Sequence, residues 1–208
     1  MSDLSRQDHW ELVYRTKSEK EVSWFQDKAE PSVELILNAG ATPTSAIIDI
    51  GGGTSRLVDA LVSRGFRRVT VLDLSGAALS TARARLGSAA GQAEWIVADV
   101  TRWEPAQVYD LWHDRAAFHF LTDSADRAAY VQRVTRTVRP GGHLIIGSFA
   151  LDGPERCSGL PVARYDGAGL AAEFGNAFEL ISTQRHLHET PWGAQQKFQF
   201  STFRAVKG

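Results

Sequence analysis

Residues 48–55 read Ile48-Asp49-Ile50-Gly51-Gly52-Gly53-Thr54-Ser55, three glycines set between an apolar run and a segment of helical spacing. Bare backbone allows a tight turn and the close approach of a ligand, and the free N–H groups that open a helix face the same space. Such a turn alone is weak evidence, since many α/β chains need glycine there only to change direction. The acids that follow sharpen it. Asp73 closes the next apolar run 20 residues after Gly53, the spacing at which a nucleoside-binding fold places the carboxylate that accepts from ribose hydroxyls. Asp99 closes a third run, where it can accept from an adenine amino group, and Asp49, ahead of the glycines, can accept from an ammonium. Three acids ending three consecutive strands suit a cationic, hydroxyl-bearing ligand better than one carrying a pyrophosphate. A nicotinamide-binding Gly-x-Gly-x-x-Gly turn counted from Gly51 needs glycine at position 56, where the chain has Arg56.

The elements that must position these residues are legible as five short runs: Ala46–Ile50, Val69–Leu72, Trp95–Ala98, Leu111–Trp112 and Leu144–Phe149. Their near-continuous apolar character predicts strands covered on both faces, and therefore a parallel sheet. Helical spacing fills the intervals. Leu57, Val58, Leu61 and Val62 precede Gly65; Leu79, Ala82 and Leu86 follow Ser75 as N-cap and stop at Gly87; Tyr130, Val131, Val134 and Val138 stop at Arg139-Pro140-Gly141-Gly142. Strand and helix alternating at this rhythm predict an open α/β sheet with right-handed crossovers. The rhythm breaks at Phe178–Arg185 and Lys197–Phe203, two strand-like runs joined by the turn-prone stretch from His188 to Gly193, which predict an antiparallel hairpin closing the sheet.

Residues 1–40 precede the first strand, with Trp10, Tyr14, Trp24 and Phe25 among many charges and a helix predicted over Pro31–Ala39. Ligands of open α/β sheets bind beyond the carboxyl ends of the strands, and this aromatic segment is suited to roof that crevice. The expected organisation is one domain over residues 1–208, with residues 1–40 as a helical cap.

Composition bounds the partners. The chain has 208 residues, 43% of them hydrophobic and 23% charged, enough apolar material for a sizeable core. Lys and Arg number 23 against 24 Asp and Glu, so no bulk electrostatic affinity for nucleic acid or an anionic membrane is expected. Cys157 is the single cysteine, which excludes an intrachain disulfide and a multi-cysteine zinc site and points to a reducing compartment. The N-terminus lacks the apolar core of a signal peptide, and a cytoplasmic protein is expected.

Asp49, Gly51, Gly53 and Ser55 match the Asp/Glu-x-Gly-x-Gly-x-Gly turn of the class I S-adenosylmethionine-dependent methyltransferases, which the sequence resembles over roughly residues 45–205; Ser55 replaces the last glycine. Arg139-Pro140-Gly141-Gly142 before a strand and the closing hairpin are similar to that family's loop before its fifth strand and its reversed seventh strand. The resemblance implies a Rossmann-like three-layer α/β/α sandwich, a mostly parallel seven-stranded sheet with an antiparallel C-terminal hairpin strand. By position it puts Gly51 and Gly53 against the methionine part of the cofactor, Asp73 on the ribose, Leu74 on the adenine, and Asp99 with the Val100 backbone on the adenine edge. His9-Trp10, Tyr14 and Trp24 resemble the aromatic gate of thiopurine-type enzymes, which implies that Trp10, Tyr14 and Trp24 cover the cofactor.

The implied activity moves a methyl group from S-adenosylmethionine to a small-molecule acceptor, with S-adenosylhomocysteine as product and no metal. Methyl transfer from a sulfonium is an in-line displacement that needs alignment and exclusion of water, whereas a base is optional. His113 and His119, on the predicted fourth strand and just beyond it, are the candidate bases. Arg115 either pairs with Asp114 or binds an acidic substrate, and the loop Leu151–Tyr165, which carries Cys157, is the expected substrate wall. His186 and His188 beside Glu189 lack the further ligand a metal site needs, and Arg133, Arg136 and Arg139 read as a solvated stripe. A protein-lysine methyltransferase and a non-catalytic cofactor-binding module remain the alternatives.

Overall fold

The computed structural model describes residues 5–206. Seven strands form the main sheet: β1 (Ala46–Ile50), β2 (Arg68–Asp73), β3 (Ala93–Val97), β4 (Tyr109–Arg115), β5 (Val138–Phe149), β8 (Phe178–Glu189) and β9 (Gln195–Ala205). Arg156–Cys157 and Leu160–Pro161 make β6 and β7, a minimal hairpin inside the loop that follows β5. The sheet order is β3-β2-β1-β4-β5-β9-β8, with β1 to β5 parallel and β9 antiparallel to both of its neighbours. Order reverses at β1, whose neighbours are β2 and β4, and this is the switch point outside which an open α/β sheet forms its crevice.

Helices cover both faces because successive strand residues point to opposite sides. On one face Ile47, Val69, Val71, Leu111 and Ile145 pack with α2 (Ser32–Asn38), α3 (Leu57–Ser63) and Leu79 of α4 (Gly76–Leu86). On the other, Ile48, Trp112, Leu144 and Ile146 pack with α5 (Ser124–Thr137) and α6 (Gly167–Phe174). Ser75 caps α4 by accepting from the Ala78 amide at 3.1 Å. The first helix, α1 (Arg6–Thr16), lies over the C-terminal ends of the strands rather than on a face.

Three local expectations change. Arg139-Pro140-Gly141-Gly142 is no loop: β5 starts at Val138 and carries these residues as a bulge, with the register to β4 shifting between Tyr109 and Leu111. Glycine is needed there, since a Cβ on Gly142 would lie 2.8 Å from the Asp110 carbonyl oxygen. His188 and Glu189 belong to β8, and the turn narrows to residues 190–194, closed by a 2.8 Å bond from the Thr190 amide to the Ala194 carbonyl. Helix α6 has no counterpart in the sequence reading. Arg133 is also less solvated than its stripe suggests, because Nε donates to the Trp103 carbonyl at 2.8 Å.

Asp114 shows how the far face supports the strand ends. It points away from Arg115 and caps the turn after β4, accepting from the amides of Ala117 (Oδ1, 2.8 Å) and Phe118 (Oδ2, 3.0 Å). Tyr130 Oη donates to its Oδ2 at 2.7 Å and accepts from Trp112 Nε1 at 2.7 Å. Burial pushes the Asp114 carboxyl up to about 6 against these bonds. Tyr130→Phe therefore strands a buried indole N–H, and urea unfolding should show a loss of about 1–2 kcal/mol; an unchanged midpoint would remove this network from the account of the strand ends.

Candidate active site

The glycine turn is bound to the second strand, with the Gly51 amide donating to the Leu72 carbonyl at 2.7 Å. Gly51 (φ +63) and Gly53 (φ +49) occupy the left-handed region that side chains other than glycine's resist. Ser55, in place of the family's last glycine, leaves the turn intact and its Oγ accepts from the Leu57 amide at 3.1 Å, opening α3.

Around the turn lies a cavity whose empty space is about 820 Å³ including its mouth. Gly51, Asp73, Leu74, Asp99 and Val100 line it at the β1–β3 end. Asp73 ends β2 and its Oδ1 accepts from the Ser75 amide at 2.8 Å. Burial pushes this carboxyl up to about 7, against the backbone bonds it receives and with the Asp49 charge adding to the rise. Asp99 lies two residues beyond β3, its Oδ1 held by the Thr101 amide at 2.8 Å and hydroxyl at 2.7 Å, its Oδ2 3.8 Å from Arg6 Nη1.

Trp10, Tyr14 and Trp24 close the cavity from the N-terminal segment. Trp10 meets Phe120 edge-on at 4.9 Å and Trp24 at 5.7 Å between ring centroids, so the aromatics form one continuous cover. Tyr14 covers Gly53, where a Cβ would come within 2.6 Å of its hydroxyl, and burial beside Asp73 keeps the phenol neutral by raising its pKa. The cover is fastened at both ends. Glu11 accepts from Ser75 Oγ at 2.7 Å at the start of α4, and Glu19 bridges Arg56 (2.6 Å) and Arg85 (2.8 Å) behind the turn.

Not every residue singled out from sequence reaches this wall. Asp49 and Gly53 are outside it, and so are both histidines. Asp49 and His113 are register partners on β1 and β4; His113 Nδ1 lies 2.7 Å from Asp49 Oδ1 and its Nε2 lies 2.9 Å from Ser32 Oγ. Both ring nitrogens and one carboxylate oxygen are thus committed to a buried brace between the sheet and α2. His119 is fully buried, 4.5 Å from Phe120 and 4.9 Å from Phe149 between centroids, and burial with the Arg115 charge lowers it to about 3. A nitrogen of that basicity, behind the wall, is badly placed for a general base.

The far end of the cavity was not foreseen as a whole. Arg115 at the end of β4, Phe149 at the end of β5, Cys157 from β6 and Phe198 from β9 line it. Arg115, Phe149 and Cys157 each end a strand, a position sequence could have flagged from topology alone, while Phe198 lies inside β9 opposite Phe149. Burial pushes the Cys157 thiol up to about 11, so it is no thiolate at neutral pH. Groups of His, Cys, Asp and Glu that could hold a metal are absent among the described residues, and His188 Nε2 instead meets the Ser23 carbonyl at 2.7 Å.

Residues 47–142 match the family described as methyltransferase domain. The probable thiol methyltransferase 2 of Arabidopsis thaliana is 29% identical over 140 residues, which is 66% of this chain and 60% of that protein. A trans-aconitate 2-methyltransferase of Paracidovorax citrulli (strain AAC00-1) is 29% identical over 126 residues, covering 59% of this chain and 46% of that protein. The chain thus spans about half the length of such curated relatives. The crystal structure of the N-methyltransferase NodS from Bradyrhizobium japonicum WM9 in complex with S-adenosylhomocysteine shares the fold, with a TM-score of 0.71 at 18% identity over 96% of this chain and 100% of that one. The family match falls on the glycine turn and the acid-tipped strands, and the shared fold carries through the reversed strand, so the chain is similar to the class I S-adenosylmethionine-dependent methyltransferases in both.

Proposed function

We propose that the chain is an enzyme that transfers the methyl group of S-adenosylmethionine to a small-molecule acceptor. The observation that carries this reading is a single cavity that joins acid-tipped strands at one end to an apolar chamber at the other under one aromatic cover. The residues suit the cofactor's chemistry: Asp73 presents a carboxyl to a ribose diol, Leu74 and Val100 offer apolar surface to an adenine, and Gly51 leaves room for a methionine tail. When bound, the sulfonium supplies an electrophilic methyl carbon, whose bond to sulfur breaks with both electrons staying on sulfur as the acceptor's lone pair forms the new bond. The chain's own part is to align the two and exclude water, which Trp10, Tyr14, Trp24 and Phe120 do by closing the roof.

Residues 1–208 are read as one such domain with residues 1–40 as its cap. No helix among the described residues is long and apolar enough to cross a membrane, and a cytoplasmic location suits a chain whose one cysteine is free and buried. Arg115 on the chamber wall opposes a lysine acceptor, which favours the small-molecule reading over the protein-lysine one. Calorimetry is the direct test. S-adenosylmethionine and S-adenosylhomocysteine should both bind while NAD does not, and a panel of thiols, amines and carboxylic acids should contain at least one acceptor; absence of heat with both adenosyl compounds would end the proposal.

A further inference from the structure

We infer that the acceptor, or the part of it that docks first, is a carboxylate on a flat apolar body, gripped by Arg115; this rests on the methyl-transfer reading and names its substrate class. Among the described residues, Arg115 is the one guanidinium that lines the chamber end of the cavity. Its Nη1 donates to the Trp24 carbonyl at 3.0 Å, and its Cζ stands 5.0 Å from the centre of the Phe198 ring. Its Nε and Nη2 are shut from solvent and have no hydrogen-bond partner. Those two nitrogens form one edge of the guanidinium, the edge that meets both oxygens of a carboxylate in a bidentate pair. The side chain is therefore held in place by groups that leave its carboxylate-matching edge unused.

A buried cation without a counter-ion is costly, and here burial drags Arg115 down to about 10, while the nearest acid on its own sheet face, Asp49, is committed to His113. His119, His186 and His188, which feel the same charge, are all held toward the neutral form, so no neighbour adds a second positive charge. The remaining wall is aromatic, with Trp24, Phe120, Phe149 and Phe198, and fits an unsaturated or aromatic body. Chemistry points the same way. Among the described residues the chamber end offers no base, since Cys157 is a protonated thiol and both candidate histidines lie behind the wall, and an acceptor that arrives as an anion needs none.

The competing occupant of the same edge is the carboxylate of the cofactor's own methionine tail, and the test separates the two. Protein saturated with S-adenosylhomocysteine is titrated calorimetrically with benzoate, phenylacetate and cinnamate, each against its primary amide. At least one acid should bind about tenfold or more tighter than its amide, the scale of a bidentate charged pair. Arg115→Met should abolish that preference yet bind S-adenosylhomocysteine within about threefold of wild type, and Arg115→Lys, keeping charge without the fork, should fall between. Should Arg115→Met fail to fold, the Lys variant carries the comparison. No preference for any acid over its amide overturns the inference, and so does a loss of S-adenosylhomocysteine affinity in the variants equal to their loss for the acid, which would give the arginine to the methionine tail. Failure of the wild type to take up S-adenosylhomocysteine at all would instead overturn the methyl-transfer reading beneath it.

Discussion

Asp73→Asn is expected to weaken binding of S-adenosylhomocysteine by about 10- to 100-fold, or roughly 1.5–3 kcal/mol, the scale of losing charge-assisted hydrogen bonds from a ribose diol. Asparagine is the informative change because its Oδ1 can still accept from the Ser75 amide, the bond that ties the end of β2 to the start of α4. The local backbone is thereby kept while the charge is removed. Affinity unchanged in a folded variant would take the ribose away from this residue.

The same side chain gives the binding a pH dependence whose sign follows from its environment. A carboxyl at 3.8 in the unfolded chain and pushed by burial to about 7 in the folded one takes up a proton between those values, so its ionisation costs stability as the pH rises through that window and no more above it. Diol hydroxyls donate to the ionised form, so the ligand binds best to the state that is scarce below pH 7. Affinity for S-adenosylhomocysteine should rise between about pH 6 and 8 and then level off. In Asp73→Asn that rise should vanish, which separates this carboxyl from every other titrating group on the chain.

Much of the layout could be read before any coordinates. The central strands announce themselves because a parallel sheet covered on both faces needs apolar residues in succession, and Ala46–Ile50 is buried at every position, whereas β3, expected to be covered likewise, is the edge strand and has no fully buried residue. Asp73 and Asp99 line the cavity because strand ends are set by where such runs stop. The histidines do not line it, for a reason that lies in the pleat. Leu111, His113 and Arg115 share one side of β4, and whether the second or the third of that series reaches the cavity depends on how far the strand extends beneath the cover. His113 stops short, level with Asp49 in the register, and Arg115 arrives. The register between β1 and β4 is a tertiary fact, and it turned an expected ammonium acceptor and an expected base into partners of each other. Helix α6 was hidden because Gly167 and Gly169 stand in its first turn, where packing decides: a Cβ on Gly167 would lie 2.4 Å from Thr183 Cγ2 of β8.

Gly51→Ala should be the most damaging single methyl at the site, and Gly65→Ala shows why backbone strain is only part of it. Both glycines have positive φ, +63 and +82, so alanine at either costs about 1–2 kcal/mol in the left-handed region. At Gly65 the added Cβ meets nothing within 4 Å, so this strain is the whole effect, and binding should be untouched. At Gly51 the Cβ lands 2.6 Å from the Cβ of Ala117. Ala117 cannot retreat: its amide is fixed to Asp114 Oδ1 at 2.8 Å, and Ala116 before it already sits at φ +70 with its amide bound to the Gly147 carbonyl at 2.7 Å. The turn must therefore yield instead, and Gly51 and Ala117 face each other on the cavity wall between the Asp73 end and the Arg115 end. Denaturation should show Gly51→Ala losing about 2–4 kcal/mol, and calorimetry should show S-adenosylhomocysteine weakened by about 100-fold or more, beyond the loss at Asp73. If the two alanine variants melt alike and Gly51→Ala binds the compound as wild type does, the passage between the two ends of the cavity is wider than the packing of Gly51 on Ala117 requires, and the path assigned to the methionine tail is wrong.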